Sequence, residues 1–333
     1  MTEPLLARRL ISTALAAAVS GAVLWALLAG VNRAALLAVL AEASPWRLGL
    51  ACLLLPLIQW LRAWRFELAL TGRPGLPSAA MVWVAVRLVV YNFLLPFKLG
   101  ELSFPLMMRR AFAVEYMRSA GILILVRCLD LSTLGALLCL AASALLPEGA
   151  LGWSARALLA AGLLLLAAPL VLISAVAPLV RAAARSPRLE PVALRLLWGA
   201  TMLHAPAARA LALILTLASW LAHAALGWLA ASAVIGDISP VATTLATAAS
   251  NLAFALPVPV IAGLGPPQAA WVAALALAGL PRPATVATAL VTQAVILFGI
   301  LALGLASVLA GPAAPRPGPR PERRGARLRL RAD

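Results

Sequence analysis

Residues 86–110 read Val86-Arg-Leu-Val-Val-Tyr-Asn-Phe-Leu-Leu-Pro-Phe-Lys-Leu-Gly-Glu-Leu-Ser-Phe-Pro-Leu-Met-Met-Arg-Arg110, and this stretch decides the fold. It starts like an apolar membrane helix. Pro96 then removes a backbone donor that a helix needs, and Gly100 allows backbone conformations that other residues avoid. We therefore predict that the helix breaks at Pro96 and Gly100.

Polar side chains accompany this break, namely Asn92, Lys98 and Glu101. Unwound backbone is tolerated at membrane depth only where protein or water satisfies its polar groups. One interpretation is therefore a cavity lined by Lys98 and Glu101, which pair with each other unless Glu101 carries a proton. The other is a cytoplasmic loop with charges at the membrane surface.

Residues 91–101, Tyr-Asn-Phe-Leu-Leu-Pro-Phe-Lys-Leu-Gly-Glu, resemble the first signature of the lysylphosphatidylglycerol synthase transmembrane family, also called the flippase-like domain family. Residues 257–268 resemble its second signature, with breaks expected at Pro257, Gly263 and Gly265. The resemblance extends from about residue 11 to residue 310. It implies a membrane protein that handles lipids.

Two positions depart from the pattern of this family. The family usually has Arg shortly after the Gly-Glu pair, where this chain has Phe104. It usually has Glu in the second signature, where this chain has Gln268. An amide can form hydrogen bonds but cannot ionise. Both departures bear on the substrate and on the activity.

The composition is that of an integral membrane protein. Hydrophobic residues make up 64% of the chain, charged residues make up 11%, and the mean hydropathy is +1.00. The net charge of +16 comes from arginines between apolar runs and in the tail. This pattern sets membrane topology and attracts anionic lipid headgroups, so we expect membrane lipids and not nucleic acid as partners.

The sequence gives no signal for a metal, a cofactor or catalysis. Its cysteines and histidines lack metal-ligand spacing, and it contains no Walker loop, Ser/His/Asp constellation or paired acidic motif. The resemblance implies that lysyl transfer needs a further soluble domain, whereas this sequence ends soon after its last apolar run. We expect no cofactor and no enzymatic activity.

Six apolar segments are predicted to cross the membrane, at residues 11–30, 48–60, 119–146, 158–180, 210–235 and 284–310. Residues 79–118 and 240–282 contain the broken segments, each a re-entrant loop or a pair of helices. Trp and Arg residues mark membrane interfaces, and we assign to them the group Trp60, Arg62, Trp64, Arg65, Trp220 and Trp228.

The predicted fold is an all-α polytopic membrane helix bundle. A transmembrane domain spans residues 1–310, with halves at about 8–146 and 151–310, and a basic disordered tail follows at 311–333. Each half contains two spans, a broken segment and a third span. Basic loops place both termini in the cytoplasm of an inner-membrane protein, and the halves then have inverted orientations.

The candidate binding residues lie near the breaks. Arg87 and Lys98 are candidates for holding a phosphate, because Arg offers a planar fork of donors and Lys a compact charge. Asn92, Asn251 and Gln268 could add amide contacts, with Glu101 across the same site. Helix N-termini at the breaks would add positive dipole ends.

Arg127 and Asp130 are three residues apart on one apolar helix and can therefore pair side by side. A lone charge at this depth would be costly. The pair either fixes helix packing or forms a polar gate or headgroup contact.

The expected function is translocation of an anionic phospholipid, or of a polyprenyl-phosphate-linked lipid, between leaflets. One alternative is a membrane-embedded transferase acting on a lipid. Another is a non-transporting partner of a lipid-modifying enzyme.

The arginine distribution predicts that Glu148 and Asp237 lie outside the cell and that Arg320 lies in the cytoplasm. Each is replaced by Cys in a background without the native cysteines, and intact cells are treated with an impermeant thiol reagent. We expect labelling at positions 148 and 237 only. Labelling at position 320 would overturn the assigned orientation.

Overall fold

The computed structural model describes residues 18–29, 33–145, 154–183, 185, 190–256, 258 and 262–310. All regular elements in these ranges are helices, which confirms the predicted all-α fold. They are α1 (Ala18–Leu28), α2 (Arg33–Ala41), α3 (Pro45–Thr71), α4 (Ala79–Leu94), a 3-10 helix (Pro96–Leu102), α5 (Ser103–Phe112), α6 (Tyr116–Leu145), α7 (Ala155–Ala183), α8 (Glu190–Leu196), α9 (Trp198–Met202), α10 (Pro206–Ile235), α11 (Pro240–Ala255), α12 (Pro266–Leu277) and α13 (Arg282–Leu309).

Four of the described helices are long and apolar enough to cross a membrane: α6, α10, α13 and the Ala155–Ala175 part of α7. The first predicted span is described only over α1, and the predicted tail at 311–333 lies outside the described residues. The helices nevertheless establish a polytopic bundle.

The first break has the predicted position. Helix α4 ends at Leu94, and the chain continues as a 3-10 helix that starts at Pro96. Lys98 has a φ of +58°, a left-handed conformation that costs about 1–2 kcal/mol for a residue with a side chain. Gly100 packs so closely on the end of α4 that a Cβ there would overlap Asn92. The first break is therefore a compact turn whose close packing requires glycine at position 100.

The second break lies between α11 and α12. Helix α11 ends at Ala255 and α12 begins at Pro266, while Pro257 lies outside the described residues. Gly263 and Gly265 have φ values of +66° and +111°, which glycine adopts at little cost. These glycines let the chain reverse before α12.

The core is built around α3, which packs along α10 and also contacts α4 and α13. Its buried residue Phe66 meets Phe104 of α5, with ring centroids 4.6 Å apart. Phe104 is fully buried, so the position where the resembled family usually has Arg belongs to the apolar core here.

The described helices follow the predicted order of elements in the two halves. The first has α1, α3, the α4–α5 pair with its break, and α6; the second has α7, α10, the α11–α12 pair with its break, and α13. The inverted orientation of the halves stays a prediction.

Two members of the predicted interface group, Arg65 and Trp220, lie inside the bundle, and the interface position of the other members stays a prediction. Helix α3 continues to Thr71, and Arg65 on it is only 3% exposed. Trp220, on α10, is 6% exposed. Both side chains point into the bundle, because each shares a polar contact with Asp130 there.

The close approach of α6 and α8 predicts that Gly121→Ala will destabilise the protein, since a Cβ would overlap the carbonyl oxygen of Leu196. We expect a loss of about 1–3 kcal/mol, measured by thermal unfolding in detergent. Gly49→Ala is the control, because a Cβ at this helical position meets nothing within 4 Å. That change should be neutral or stabilising, and equal effects of the two changes would contradict the packing.

Candidate functional site

A cavity of about 340 Å³ lies between the two breaks. Lys98 and Glu101 from the first break line it together with Gly263 and Gln268 from the second. Helices α3, α6, α10, α11 and α13 complete its walls. Its volume lies within the range of about 300–1,000 Å³ that is usual for ligand sites. The geometry agrees with a cavity at the first break and not with a plain surface loop.

The two breaks contact each other directly. The backbone N–H of Ala262 donates a hydrogen bond to the carbonyl oxygen of Phe93, at 3.1 Å. The ring of Phe93 packs on Phe254, with centroids 5.1 Å apart, and a Cβ on Gly263 would lie 3.0 Å from Phe93. Residues 161 to 170 positions apart in the sequence thus form one site.

The residues that the first half of the chain contributes to the cavity form a network of charges. Asp130 pairs with the buried Arg65 and also accepts a hydrogen bond from the indole of Trp220, at 3.0 Å. Arg127 pairs with Glu101 at 2.6 Å. Arg127 and Asp130 are neighbours, as predicted, but 3.8 Å apart, and each has a closer partner. Arg127 and Asp130 therefore connect the Arg127–Glu101 ion pair with the Arg65–Asp130 ion pair.

Two cations that line the cavity have no carboxylate within 4.0 Å among the described residues, namely Arg62 and Lys98. Arg62 donates to the side-chain oxygen of Gln59, at 3.0 Å. The Lys98 ammonium lies 3.1 Å from the centroid of the Phe254 ring, a cation–π contact. Its donors have no oxygen partner among the described residues. These two cations make the cavity attractive to an anion.

Lys98 is the only lysine among the chain's 27 Lys and Arg residues. Arginine elsewhere supplies the positive charge. The one lysine side chain, a compact ammonium group on a flexible stem, therefore lies at the cavity.

The second half of the chain contributes neutral amides to the cavity wall. The Gln268 side chain accepts from the N–H of Gly265 at 2.6 Å and donates to the side-chain oxygen of Gln293 at 2.7 Å. Gln293 in turn donates to the carbonyl oxygen of Ala262, at 2.8 Å. The two glutamines therefore hold the second break in shape. Asn251 also faces the cavity and donates to the carbonyl oxygen of Thr247, at 2.8 Å.

The cavity brings together most of the predicted site residues, which are Asn92, Lys98, Glu101, Arg127, Asp130, Asn251 and Gln268. Two predictions need correction. Arg87 is not a lining residue and donates to the carbonyl oxygen of Ser307 at 2.7 Å, because it lies about 140° around α4 from Asn92. The predicted pairing of Glu101 with Lys98 is replaced by the pairing with Arg127.

The sequence interpretation missed Arg62, Arg65, Trp220, His223, Thr247 and Thr292. Arg62 and Arg65 could have been found from their position, since both continue an apolar helix without an intervening turn signal. The hydroxyl residues gave no signal, because Thr is common throughout α11 and α13. His223 lines the cavity and packs on Trp220, with ring centroids 4.6 Å apart.

Comparison with known proteins identifies one family. A family model described as "Lysylphosphatidylglycerol synthase TM region" matches residues 13–304, which is most of the chain. A comparison with curated protein sequences found no match.

The buried ion pair predicts that Asp130→Ala will destabilise the protein strongly, because it leaves Arg65 uncompensated. We expect about 3–5 kcal/mol, measured by thermal unfolding in detergent. The double change Arg65→Met with Asp130→Ala should recover part of this loss. Glu115→Ala is the control, since Glu115 pairs with arginines at a partly exposed site and should cost no more than about 1 kcal/mol. Additive effects at positions 65 and 130 would argue against the pair.

Proposed function

Because the chain belongs to the lysylphosphatidylglycerol synthase transmembrane family, we propose that this multi-pass membrane protein translocates an anionic lipid between leaflets. Its substrate is a phospholipid or a polyprenyl-phosphate-linked lipid. The headgroup passes through the cavity between the two breaks, while the acyl or prenyl chains stay in the bilayer.

The observation that carries the proposal is the pair of cations Arg62 and Lys98, which line the cavity without a carboxylate partner among the described residues. Both neighbouring carboxylates are already engaged by Arg65 and Arg127. A phosphate would supply the missing negative charge. Arg62 can bind it with two donors, and Lys98 can follow it as a mobile point charge.

The two broken segments are the parts of the chain that we propose to move during transport. Among the described residues, the contacts between them include the backbone hydrogen bond from Ala262 to Phe93 and the packing of Phe93 and Lys98 on Phe254. We propose that their separation opens the cavity toward one leaflet and then the other, as in transporters built from two halves.

The proposed setting is the inner membrane, with both termini in the cytoplasm and the two halves inverted. The distribution of arginine supports this orientation. An inverted arrangement would let the breaks approach the cavity from opposite leaflets.

We propose that the chain acts without covalent chemistry. Described residues that line the cavity form ion pairs and amide hydrogen bonds that hold structure, and Glu101 and Asp130 are both paired with arginines. A covalent lipid product formed by the purified chain would favour a transferase. Co-purification with a lipid-modifying enzyme, without transport in vesicles, would favour the role of a partner.

Lys98→Ala should reduce translocation about tenfold or more without unfolding the protein, because Lys98 forms no ion pair with a described residue that its loss would strand. The assay reconstitutes the full chain in vesicles with fluorescent phosphatidylglycerol and follows quenching by external dithionite. Arg110→Ala is the control, since Arg110 is exposed on α5 away from the cavity. Equal rates for Lys98→Ala and the unchanged protein would refute the role of this lysine.

The single lysine allows a second test. An amine-reactive reagent can modify only Lys98 and the chain's N-terminus. We expect anionic lipid to slow modification of Lys98, as measured by peptide mass spectrometry, and to leave the N-terminus unaffected. Lack of protection by any anionic lipid would argue against a headgroup at Lys98.

A further inference from the structure

One titratable residue of the described cavity lining, His223 on α10, has no role in the proposed function. Resting on that function, we propose that His223 binds a proton at its Nε2 atom when an anion occupies the cavity. Each anion is then translocated together with one proton. A pH difference across the membrane therefore drives the transport.

The hydrogen bond of the His223 ring fixes which of its nitrogens can accept a proton. Nδ1 lies 2.7 Å from the carbonyl oxygen of Ser219. A carbonyl oxygen can only accept, so Nδ1 carries a hydrogen and donates it, and the lone pair of the neutral ring is on Nε2. Nε2 has no hydrogen-bond partner among the described residues and is not a fully covered atom. Solvent that enters the cavity can therefore deliver a proton there.

The contacts of His223 suit the charged ring as well as the neutral one. The hydrogen bond from Nδ1 to Ser219 is the same in both forms. The ring packs on Trp220, with centroids 4.6 Å apart, and a cation beside an indole is favourable. The indole of Trp220 itself donates to the carboxylate of Asp130, at 3.0 Å. Protonation at Nε2 therefore breaks none of these contacts.

The charges around the cavity decide when the proton binds. They are carried by Arg62 and Arg65 on α3, Lys98 and Glu101 at the first break, and Arg127 and Asp130 on α6. The described lining residues of α11, α12 and α13 are uncharged, and α2, which also contacts α10, contributes none. Both carboxylates are paired with arginines. Without an anion, the charges of Arg62 and Lys98 oppose a further positive charge on His223.

A phosphate at Arg62 and Lys98 offsets that opposition, so its arrival favours the proton on His223. Coupling between two ligands is reciprocal, and the proton strengthens binding of the anion by the same factor. The proton comes from solvent, forms the Nε2–H bond, and returns to solvent when the anion leaves. Release of the anion and release of the proton are thereby linked.

The first test counts the protons that the purified full chain takes up in detergent when dihexanoyl phosphatidylglycerol binds. Its phosphodiester keeps one negative charge between about pH 5 and 8, the range in which histidine titrates, so any uptake is by the protein. Titration calorimetry in buffers of different ionisation enthalpy gives the number. We expect up to about one proton per lipid, and binding about tenfold tighter at the acidic end of the range.

The matched variants are His223→Asn and His204→Asn, which replace the chain's two histidines. Asn cannot titrate, but its amide can still donate toward the carbonyl oxygen of Ser219. His204 is exposed in the turn before α10 and does not line the cavity. His223→Asn should abolish the proton uptake, and His204→Asn should keep it. Lys98→Arg, whose charge is permanent, should also keep the dependence on pH.

The second test imposes a pH difference across vesicles in the assay with fluorescent phosphatidylglycerol. Movement of one proton with each lipid should enrich the lipid in the leaflet on the alkaline side, by up to about tenfold per pH unit. His204→Asn should behave like the unchanged protein. His223→Asn should leave the lipid equally distributed.

Lack of proton uptake by the unchanged protein, unaltered uptake in His223→Asn, or loss of the pH dependence in Lys98→Arg would overturn the inference. Translocation that a pH difference does not bias would also overturn it and leave the proposed function intact. Proton uptake on binding without translocation at any pH would refute the proposed function and leave His223 as the proton-binding residue of an anion site. Absence of both binding and translocation would refute both proposals.

Discussion

Hydrocarbon cannot satisfy a backbone polar group, and the architecture of this protein depends on that constraint. The chain is interrupted at two places inside a bundle of apolar helices, after Leu94 and after Ala255. The carbonyl oxygen freed near the end of α4, at Phe93, accepts from the N–H of Ala262 in the other interruption. A backbone group of the second break thus satisfies a backbone carbonyl at the first.

The charges follow from this arrangement. Once the breaks meet, the enclosed space can hold ionic groups that lipid would exclude. Asp130 and Glu101 are then satisfied by Arg65 and Arg127, and these pairs fix α3, α6 and the first break relative to each other. Arg62 and Lys98 remain without a carboxylate partner among the described residues, and the proposed binding of an anion rests on them. The contacts that hold these helices together therefore also set the distribution of charge in the cavity.

The sequence was sufficient to predict the all-α class, the positions of the long helices and the first break, because Pro96 and Gly100 act locally. Most of the polar residues that it predicted for the site line the cavity, but they form a minority of the lining residues. It failed for Arg65, since a Trp- and Arg-rich helix end looks the same at a membrane interface and in a buried network. The contact of Arg65 with Asp130 joins positions 65 residues apart. Such a contact depends on packing, and local patterns do not encode it.

The departures at Phe104 and Gln268 can be understood in the same terms. Phe104 fills the apolar core against Phe66, so the positive charge is supplied by other residues. Gln268 uses its oxygen as an acceptor from Gly265 and its nitrogen as a donor to Gln293 and to the carbonyl oxygen of Gly263. A carboxylate could replace the first contact but could not donate in the other two. In this chain the second break is therefore held by neutral groups, and the Arg, Lys, Asp and Glu residues that line the cavity all come from the first half of the chain.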